Sequence, residues 1–381
     1  MTDLSAKEFF VDPDIGRAES LKASAFVDPE FMELELDRVF SRSWTLVAPR
    51  GGPNLLDKPD SRAPFTLLEK PFFLQRSSTG KLSCFPNVCT HAWHPLVESP
   101  SIGGSVVCPQ HGRRFDSDGK FVSHTGFENL KDFPRESDSL RKLEVENWGP
   151  LNFVCLGDPL VPFHEFVNNV QKSIPGIDPK SLGYHSVSDE SREVDGNWKQ
   201  HAWNYMDNYH IRFVHKGPRG LADAIELDSY KTELHNFSSL QWAYSRKPEH
   251  GFKPEQVAAR FRDPKHPDKR VFALWWFIFP NMTLNFYPWG LSVNQYMPVP
   301  GRPDRTQFHW LQYSLDEEKF KQRDTVWLNK QVDEEDLEAI ELVSKGARSG
   351  FAPRGRFAPR EELGPHWLHR LIYTTIFPES S

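Results

Sequence analysis

The apolar residues near the start of the chain follow a helical period. Between residues 28 and 40 they recur at i, i+4, i+7 and i+8, which places them on one face of an amphipathic helix. Asp28 stands where an N-cap belongs. The residues of this predicted face are Met32, Leu36, Val39 and Phe40. We expect residues 1–43 to form a helical segment that precedes the first compact domain.

From residue 43 onwards the period changes to that of strands. Short apolar runs are separated by Gly, Pro and Ser, a pattern typical of strands joined by turns. The predicted strands lie in SWTLVAP, PFTLLEKPFFLQRS, KLSCF, GSVVCP, KFVSH and LNFVCLG. We therefore predict an all-β domain at residues 44–155.

The rest of the chain, residues 156–381, mixes both periods. A Pro-rich and polar crossover at 159–182 leads to a weakly helical stretch at 196–215, and apolar runs at 225–244 and 271–298 predict strands. Residues 316–346 form the strongest predicted helix, with Gly346 as its C-cap and a final helix or strand at 366–376. The apolar positions of the strong helix are Trp327, Leu328, Val332, Leu337 and Ile340. This pattern predicts an α+β domain with an antiparallel sheet.

Length and charge narrow the class of protein. The chain has 381 residues, enough for about two domains. Its formal net charge is −6, so no basic surface for nucleic acid is expected. No apolar run approaches the roughly 20 residues that span a bilayer, and residues 1–14 lack the apolar core of a signal peptide. We expect a cytoplasmic protein that does not enter membranes.

Two cysteines and two histidines at short spacing form the first candidate site. The motifs are Cys89-x-His91 and Cys108-x-x-His111, so each of two loops offers one thiolate and one imidazole. Two cysteines on one iron and two histidines on the other are the ligands of a Rieske [2Fe–2S] cluster. The pattern favours this cluster.

Two other interpretations compete with a Rieske cluster. Two cysteines with two histidines also suit tetrahedral zinc, although zinc sites usually pair like ligands at short spacing. The chain has four cysteines, Cys84 and Cys155 being the others, and an even count permits disulfides. Large cytosolic chains rarely contain disulfides, however.

A second candidate site lies at 207–215. Asp207, His210 and His215 form D-x-x-H-x-x-x-x-H, and Asp207 shares a helical face with His210. His215 faces the same metal if the helix unwinds or bulges after His210. Two imidazoles and one carboxylate with open positions are the ligands of non-haem Fe(II) oxygenases.

The alternative is a pair of ordinary histidines beside a helical acid. Because an electron-transfer cluster needs a destination, the iron interpretation is favoured. The residues alone leave the third ligand open among several acids of the 316–346 helix. These candidates are Asp333, Glu334, Glu335, Asp336 and Glu341.

These motifs resemble a known family. Together with Asn204, the two sets of metal-binding residues are similar to those of the α-subunits of Rieske non-haem iron oxygenases. The C-terminal half most resembles the choline monooxygenase group, which oxidises quaternary ammonium compounds. The stretches that carry this similarity are 215–234, 277–290 and 331–359.

The resemblance implies specific roles. Asp336, followed by Glu341, falls on the family's third iron ligand, and Asn204 is a catalytic residue together with Asp207. Asp207 is the bridging acid, hydrogen-bonded to His210 of its own chain and to His111 of a neighbouring subunit. Electrons cross between the subunits of a head-to-tail homotrimer, because the two metal centres of one chain lie too far apart. The implied fold is a Rieske domain and a helix-grip catalytic domain against which the N-terminal segment packs.

The implied cofactors are the [2Fe–2S] cluster, mononuclear Fe(II) and O₂. Electrons come from NAD(P)H through a separate flavin- or ferredoxin-type reductase, since the chain has no GxGxxG motif after a strand. The expected activity is hydroxylation of a small quaternary ammonium compound, choline-, betaine- or carnitine-like. An aromatic ring or aromatic acid is the alternative substrate, and a non-catalytic electron carrier is the alternative function. Aromatic candidates for the substrate pocket are Trp203, Phe286, Tyr287 and Trp289.

The chain departs from the family at three places. Ala92-Trp93-His94 follows the first cluster motif where many relatives have Arg-Gly or Arg-Ala, and Arg113 follows the second where many have an aromatic residue. Both changes lie next to the cluster and bear on its potential or on reductase docking. The third, a compact MDNYH before the first triad histidine where choline-oxidising relatives carry a Gly-rich insertion, bears on whether the substrate is choline itself.

Overall fold

The chain forms two compact units in a computed structural model. The structure describes residues 5–47, 56–185, 190–215, 220–326 and 329–380. Ser41–Leu160 forms one unit, here called the β unit. Met1–Phe40 and Val161–Ser381 together form the other, here called the α+β unit. The N-terminal helical segment thus belongs to the unit that contains the second candidate site.

The β unit consists of three small antiparallel sheets, with strand orders β1-β10-β9, β4-β3-β2-β5 and β6-β7-β8. Its strands are β1 Thr45–Val47, β2 Ser61–Leu67, β3 Lys70–Arg76, β4 Leu82–Pro86, β5 Ser101–Ile102, β6 Val106–Val107, β7 Arg114–Phe115, β8 Phe121–Ser123, β9 Glu144–Trp148 and β10 Leu151–Cys155. Each of the six predicted runs overlaps at least one of these strands. The core of this unit includes Phe73, Phe85, Phe115 and both motif cysteines, so the cysteine loops lie on its packed centre.

The run PFTLLEKPFFLQRS forms a hairpin rather than one strand. Leu67 pairs with Lys70, so only Leu68 and Glu69 lie between β2 and β3. Both have positive φ, 49° and 60°, as a two-residue type I′ turn requires. Such turns usually contain Asn or Gly, and neither is present here, so the pattern gave no signal for the turn.

The α+β unit is built on one antiparallel sheet. Strand order is β11-β18-β17-β16-β15-β14-β13, with β12 also paired to β18. The strands are β11 Gly183–Tyr184, β12 Glu190–Asp195, β13 Lys231–Leu234, β14 Ser238–Tyr244, β15 Val271–Ile278, β16 Met282–Tyr287, β17 Gly290–Val299 and β18 Arg302–Ser314. The α-helices of the described residues are α1 Ala6–Phe9, α2 Ser24–Val27, α3 Pro29–Arg38, α4 Phe163–Ser173, α5 Trp198–Met206, α6 Ile211–Val214, α7 Leu221–Ala224, α8 Glu317–Gln322, α9 Asn329–Arg348 and α10 Leu363–Ile376. Helix α5 contacts the sheet, and α9 and α10 contact α5. The predicted α+β class is confirmed.

The predicted helix at 196–215 is interrupted. Helix α5 ends at Met206 and α6 begins at Ile211. The chain turns at Asp207 because its Oδ1 accepts the backbone N–H of Tyr209 at 2.6 Å, a local bond that competes with helical pairing. The expected unwinding after His210 is therefore wrong in position, since the break precedes that residue.

The predicted helix at 316–346 is also divided. Helix α8 ends at Gln322, and α9 begins at Asn329. Trp327 and Leu328 lie outside the described residues. Gly346 is not the C-cap, because α9 continues to Arg348. The left-handed position that glycine favours is Gly350, where φ is +76°.

The N-terminal helix α3 starts as the sequence indicates. Asp28 caps it by accepting the N–H of Glu30 at 2.9 Å. Its buried face includes an acid that the apolar pattern did not reveal, since Glu35 is buried and pairs with Lys199 of α5 at 2.7 Å. No described helix combines the length and the hydropathy needed to cross a membrane.

Candidate metal centres

The two motif cysteines lie inside the β unit while their histidines face outward. Cys89 and Cys108 are 1% and 2% exposed, whereas His91 is half-buried and His111 exposed. The cysteine loops are held by backbone bonds: the Cys89 N–H donates to His94 at 2.9 Å, and the Cys108 N–H to Arg113 at 2.8 Å. Both cysteines belong to one core cluster and the two imidazoles are neighbours, so the structure brings the four predicted cluster residues together.

This arrangement fits a [2Fe–2S] cluster. The imidazoles of His91 and His111 lie with ring centroids 4.9 Å apart, and the buried thiols would bind the inner iron. Burial, followed by the neighbouring Cys108, raises the pKa of the Cys89 thiol, so a thiolate there needs a cation close by. All four cysteines of the chain are free, which removes the disulfide interpretation.

Arg113 lies buried beside the cluster loops. Its guanidinium is 2% exposed and pairs with Asp138 at 3.1 Å. It also donates to the Thr90 hydroxyl at 2.8 Å and to Nδ1 of His124 at 3.1 Å. The rings that pack round it are Phe121, Phe127 and Phe133. A fixed positive charge therefore adjoins the first cluster motif, through the residue between Cys89 and His91.

In the α+β unit, three predicted ligands converge on one point. Nε2 of His210 and Nε2 of His215 lie 3.2 Å apart. Oδ1 of Asp336 lies 3.5 Å from the first nitrogen and 3.1 Å from the second. The two histidines flank the short helix α6, and Asp336 reaches them from α9. These three residues form a potential metal-binding group.

The spacing of these atoms suits a metal. Neighbouring octahedral positions with bonds of about 2.1 Å separate ligand atoms by about 3.0 Å. Two imidazole nitrogens that face each other at this distance form at most one hydrogen bond between them, whereas a cation would satisfy both. The residues present therefore fit the facial triad of a non-haem iron.

Each histidine of the triad has a second carboxylate behind it. Oδ2 of Asp207 lies 3.6 Å from Nδ1 of His210, and Oε2 of Glu335 lies 2.8 Å from Nδ1 of His215. Burial alone would lower the pKa of His210, but the carboxylates of Asp207 and Asp336 raise it to about 9. Such carboxylates fix the tautomer and orientation of a ligating imidazole. The role of Glu335 was not visible in the sequence.

The other acids of the 316–346 segment have different surroundings. Glu334 is exposed, and Glu341 pairs with Lys345 at 2.7 Å on the surface. Asp333 forms no ion pair with either histidine and accepts a bond from Asn294 of β17. Among the five candidate acids, only Asp336 therefore joins both histidines.

A small cavity adjoins the triad. It measures about 20 Å³, room for about one water molecule. Asn204 lines it together with His201, Tyr205, Tyr296, Phe308, Asp333, Asp336, Leu337 and Ile340. The predicted Asn204 thus lies beside Asp336. A larger ligand would have to move some of these side chains.

The four predicted aromatic residues occupy different places. Trp203 donates to Glu362 at 3.1 Å and packs its ring edge-on against His369 of α10, at 4.6 Å. Phe286 and Tyr287 are consecutive in β16 and face opposite sides of the sheet. Tyr287 faces α5, since Asn285 on the same side accepts the Tyr205 hydroxyl at 2.5 Å.

Tyr287 stacks on Trp289, another of the four candidates, with ring centroids 4.9 Å apart. Phe286 faces away from α5. Because alternate residues of a strand face opposite sides, at most one of these two neighbours can line a pocket on the α5 side.

Comparisons with known proteins agree with both centres. The Rieske [2Fe–2S] domain family matches residues 52–134, which contain the four cysteine and histidine residues of the cluster motifs. The family described as ring hydroxylating alpha subunit (catalytic domain) matches residues 182–376, about half of the 381-residue chain. These matches favour the iron–sulfur interpretation over zinc.

Curated relatives align with nearly the whole chain. A chloroplastic choline monooxygenase of Arabidopsis thaliana is 29% identical over 99% of this chain and 88% of its own length. The carnitine monooxygenase oxygenase subunit of Acinetobacter baumannii is 26% identical over 96% of this chain and 95% of its own.

Solved structures share the fold. A quaternary ammonium Rieske monooxygenase, described in connection with carnitine oxidation and inter-subunit electron transfer, superposes with a TM-score of 0.78 at 21% identity over 98% of each chain. Naphthalene 1,2-dioxygenase superposes with a TM-score of 0.70 at 17% identity over 94% of this chain and 92% of its own. The chain therefore belongs to the ring-hydroxylating α-subunit family and is a Rieske-type oxygenase with an iron–sulfur domain and a mononuclear-iron catalytic domain.

Proposed function

We propose that this protein is the oxygenase component of a monooxygenase that hydroxylates a small quaternary ammonium compound. The observation that carries the proposal is the convergence of His210, His215 and Asp336 in a chain similar over almost its whole length to choline and carnitine monooxygenases. NAD(P)H would supply electrons through a separate reductase of the flavin or ferredoxin type.

The residues divide the work between two centres. Cys89, Cys108, His91 and His111 would hold the cluster, and the triad would hold Fe(II). When bound, the cluster supplies single electrons and the iron supplies O₂ activation. Glu335 hydrogen-bonds His215 and orients its imidazole, whereas Asp207 lies behind His210 at 3.6 Å, beyond hydrogen-bond length. Asn204 lines the cavity next to Asp336, where it can position the substrate.

The surroundings of the triad suit a cationic substrate. Aromatic rings gather on the α5 side of the sheet, and their faces attract a quaternary ammonium by cation–π interaction. Trp275 donates to the Tyr287 hydroxyl at 3.2 Å and stacks on Tyr230 at 5.9 Å. These rings and Trp289 pack in one cluster, with Tyr205 between this cluster and the triad cavity.

The reaction would insert one oxygen atom into a C–H bond next to the charged nitrogen. One atom of O₂ becomes the hydroxyl, and the other leaves as water with the two electrons from NAD(P)H. A hydroxyl on a carbon bonded to quaternary nitrogen is unstable: the C–N bond breaks, a C=O bond forms, and a tertiary amine and a proton leave. If the oxidised carbon is instead a hydroxyl-bearing carbon one bond further from the nitrogen, the geminal diol that forms loses water, the C–N bond stays intact and an aldehyde results.

We also propose a head-to-tail homotrimer. Tyr209 precedes His210 in the sequence and Phe213 follows it, and their side chains are 52% and 60% exposed. His111 is exposed at the end of its cluster loop. Large exposed apolar side chains beside a catalytic residue suit a protein contact, and His111 of a neighbouring subunit could then reach Asp207. Light scattering after size-exclusion chromatography tests the trimer, and a monomer with full activity would contradict it.

A single-turnover experiment tests the substrate class without the natural reductase. The holoenzyme is reduced chemically, freed of reductant and exposed to O₂ with choline, L-carnitine, γ-butyrobetaine, benzoate or naphthalene. We expect an amine and an aldehyde, or an aldehyde alone, from at least one quaternary ammonium compound. Hydroxylation of only the aromatic compounds would establish the alternative substrate class. A protein that is reoxidised but modifies none of them would support an electron carrier.

A further inference from the structure

Asp333 is a carboxylate without a counter-charge at the edge of the triad. Oδ1 accepts a bond from Nδ2 of Asn294 at 3.4 Å. Oδ2 is buried and has no hydrogen-bond partner among the described residues. No Lys, Arg or His nitrogen of the described part of the chain forms an ion pair with it. The carboxylate and Asp336 line the same cavity.

The neighbour of this carboxylate is also incompletely paired. Asn294 is 5% exposed, and its amide nitrogen points at Asp333. Its Oδ1 therefore has no donor within the described residues. Two buried oxygens at one place thus lack a donor. Because unpaired buried acceptors cost free energy, the site is better satisfied with a cation or donor in it.

The electrostatics of Asp333 agree with this geometry. Burial, and then the charge of Asp336, raises its pKa to about 8. Asn294, His215 and Arg192 act in the opposite direction but do not offset the first two causes. A cation brought close to Asp333 would stabilise its ionised form.

We infer that Asp333 recognises the positive charge of the substrate and thereby determines its class. This inference rests on the proposed function. Asp333 and Asp336 are three residues apart on α9, so their side chains lie about 5–6 Å apart on the same face of the helix. A cation held by Asp333 lies next to the iron site. The carbon that is oxidised is therefore one bonded to the charged nitrogen or close to it.

The same charge excludes other members of the broad substrate class. A benzoate-like anion gains no attraction from Asp333, and a neutral hydrocarbon offers its carboxylate no compensating charge. A compound with a carboxylate of its own fits only if its cationic end is the one that enters.

The test compares the binding of a cation with that of an uncharged compound of nearly the same shape. Choline and 3,3-dimethylbutan-1-ol have nearly the same shape, and only choline is charged. Their dissociation constants are measured by calorimetry on the anaerobic holoenzyme, for wild type, Asp333→Asn and Glu334→Gln. Glu334 is the neighbouring acid and is exposed, so its substitution removes the same charge from outside the site. Tetramethylammonium and L-carnitine serve as further cationic probes.

We expect wild type and Glu334→Gln to prefer choline strongly. Asp333→Asn should lose at least about ten-fold of that preference, with little change for the uncharged alcohol, because one side of a buried charge pair has been removed. If a cation binds wild type and Asp333→Asn keeps the preference, the inference about Asp333 is wrong and the proposed function stands. If no cationic probe binds wild type, the proposed substrate class fails, and this inference with it. Iron content and thermal unfolding of each variant show that a changed preference does not reflect misfolding.

Discussion

Asp333 and Asp336 lie one turn apart on α9, yet their surroundings act on them in opposite directions. Burial raises the pKa of Asp333 to about 8. Burial would also raise the pKa of Asp336, but hydrogen bonds with His210 and His215 outweigh it and hold that pKa well below its usual range. One acid is therefore fixed as a partner of two imidazoles, whereas the other remains available to a ligand.

Substitution of the two aspartates should separate these roles. Asp336→Ala should lose the mononuclear iron and keep the [2Fe–2S] cluster, because the triad loses its only carboxylate ligand. Asp333→Asn should keep both, since it contacts Asn294 rather than the histidines. Iron and sulfide analysis with EPR of the reduced protein measures both centres.

The triple variant His210→Ala, His215→Ala, Asp336→Ala extends this comparison. It should lose the same iron as Asp336→Ala while the Rieske EPR signal remains. Zinc in place of iron and sulfide, with no EPR signal from wild type, would contradict the assignment of both centres.

Asp207 should matter for turnover more than for iron binding. Its Oδ2 lies 3.6 Å from Nδ1 of His210, whereas the triad uses Nε2. Asp207→Asn should retain both metal centres and lose about 10–100-fold in activity, the usual effect of removing an acid behind a metal ligand. The diagnostic measurement is the rate at which a reduced cluster is reoxidised by O₂ with substrate present, followed by its absorbance.

Glu335→Gln is the matched control for Asp207. It removes the corresponding acid behind His215, so it should weaken iron binding in a chelator competition without selectively slowing cluster reoxidation. If Asp207→Asn reoxidises its cluster at the wild-type rate, Asp207 is not on the path between the two centres.

Arg113 should raise the reduction potential of the cluster. Its buried guanidinium bonds to Thr90, which stands between Cys89 and His91, and a nearby positive charge stabilises the added electron. Arg113→Met should therefore shift the midpoint to a more negative potential in an EPR-monitored redox titration. Arg114→Gln, which removes an exposed neighbouring charge, should shift it little. Equal shifts in both variants would show that the buried position has no special effect.

The sequence predicted the two metal centres because their ligands lie within short, local motifs. Cys89-x-His91 needs only one loop, and the spacing of His210 and His215 spans one short helix. The choice of Asp336 among five acids came from family resemblance, and its geometric basis is tertiary. The position of the sheet decides which face of α9 is turned towards the histidines. No local sequence pattern encodes that position.

Side-chain contacts explain two features that the sequence did not show. The sequence marked Arg113 as lying next to the cluster but did not show that it is buried, enclosed by three aromatic rings and Asp138. Asp207 fits a helical face, yet its own side chain ends the helix. Partners from other elements decided the first case, and a local bond to the backbone of Tyr209 decided the second.

His369 makes the α+β unit less stable in acid. Burial, and then the charge of Lys199, lowers its pKa to about 3, and its Nδ1 accepts the N–H of Leu21 at 3.1 Å. An unfolded histidine titrates near pH 6.5. Between about pH 3 and 6.5 the unfolded chain binds one more proton at this histidine than the folded chain does. The contribution of His369 to the free energy of unfolding therefore falls as the pH drops below 6.5 and is constant above it.

Substitution by glutamine should reduce this loss. His369→Gln keeps an acceptor for Leu21 but binds no proton, so the loss of stability between about pH 7.5 and 5 should shrink by roughly 2 kcal/mol. His164→Gln removes a histidine that is 79% exposed and should leave the loss unchanged. Urea unfolding at both pH values measures it, and identical losses in wild type and His369→Gln would contradict the assignment.

Removing one charge of the Glu35–Lys199 pair should destabilise the protein far more than replacing both residues by neutral ones. Both side chains are buried, and Nζ lies 2.7 Å from Oε1. Lys199→Met leaves an uncompensated carboxylate between α3 and α5 and should cost about 3–5 kcal/mol of unfolding free energy. In Glu35→Gln, Lys199→Met no charge remains, and the amide oxygen still accepts the Trp198 indole N–H that Glu35 accepts at 3.3 Å.

The double variant should therefore recover most of the loss, which a double-mutant cycle by urea unfolding would show as coupling. The exposed pair of Lys22 and Glu8 has a similar distance, 2.6 Å. Lys22→Met should cost less than about 1 kcal/mol, because water already solvates both of its charges. If Lys199→Met costs no more than Lys22→Met, then the buried pair does not fix α3 to the helix that carries Asn204.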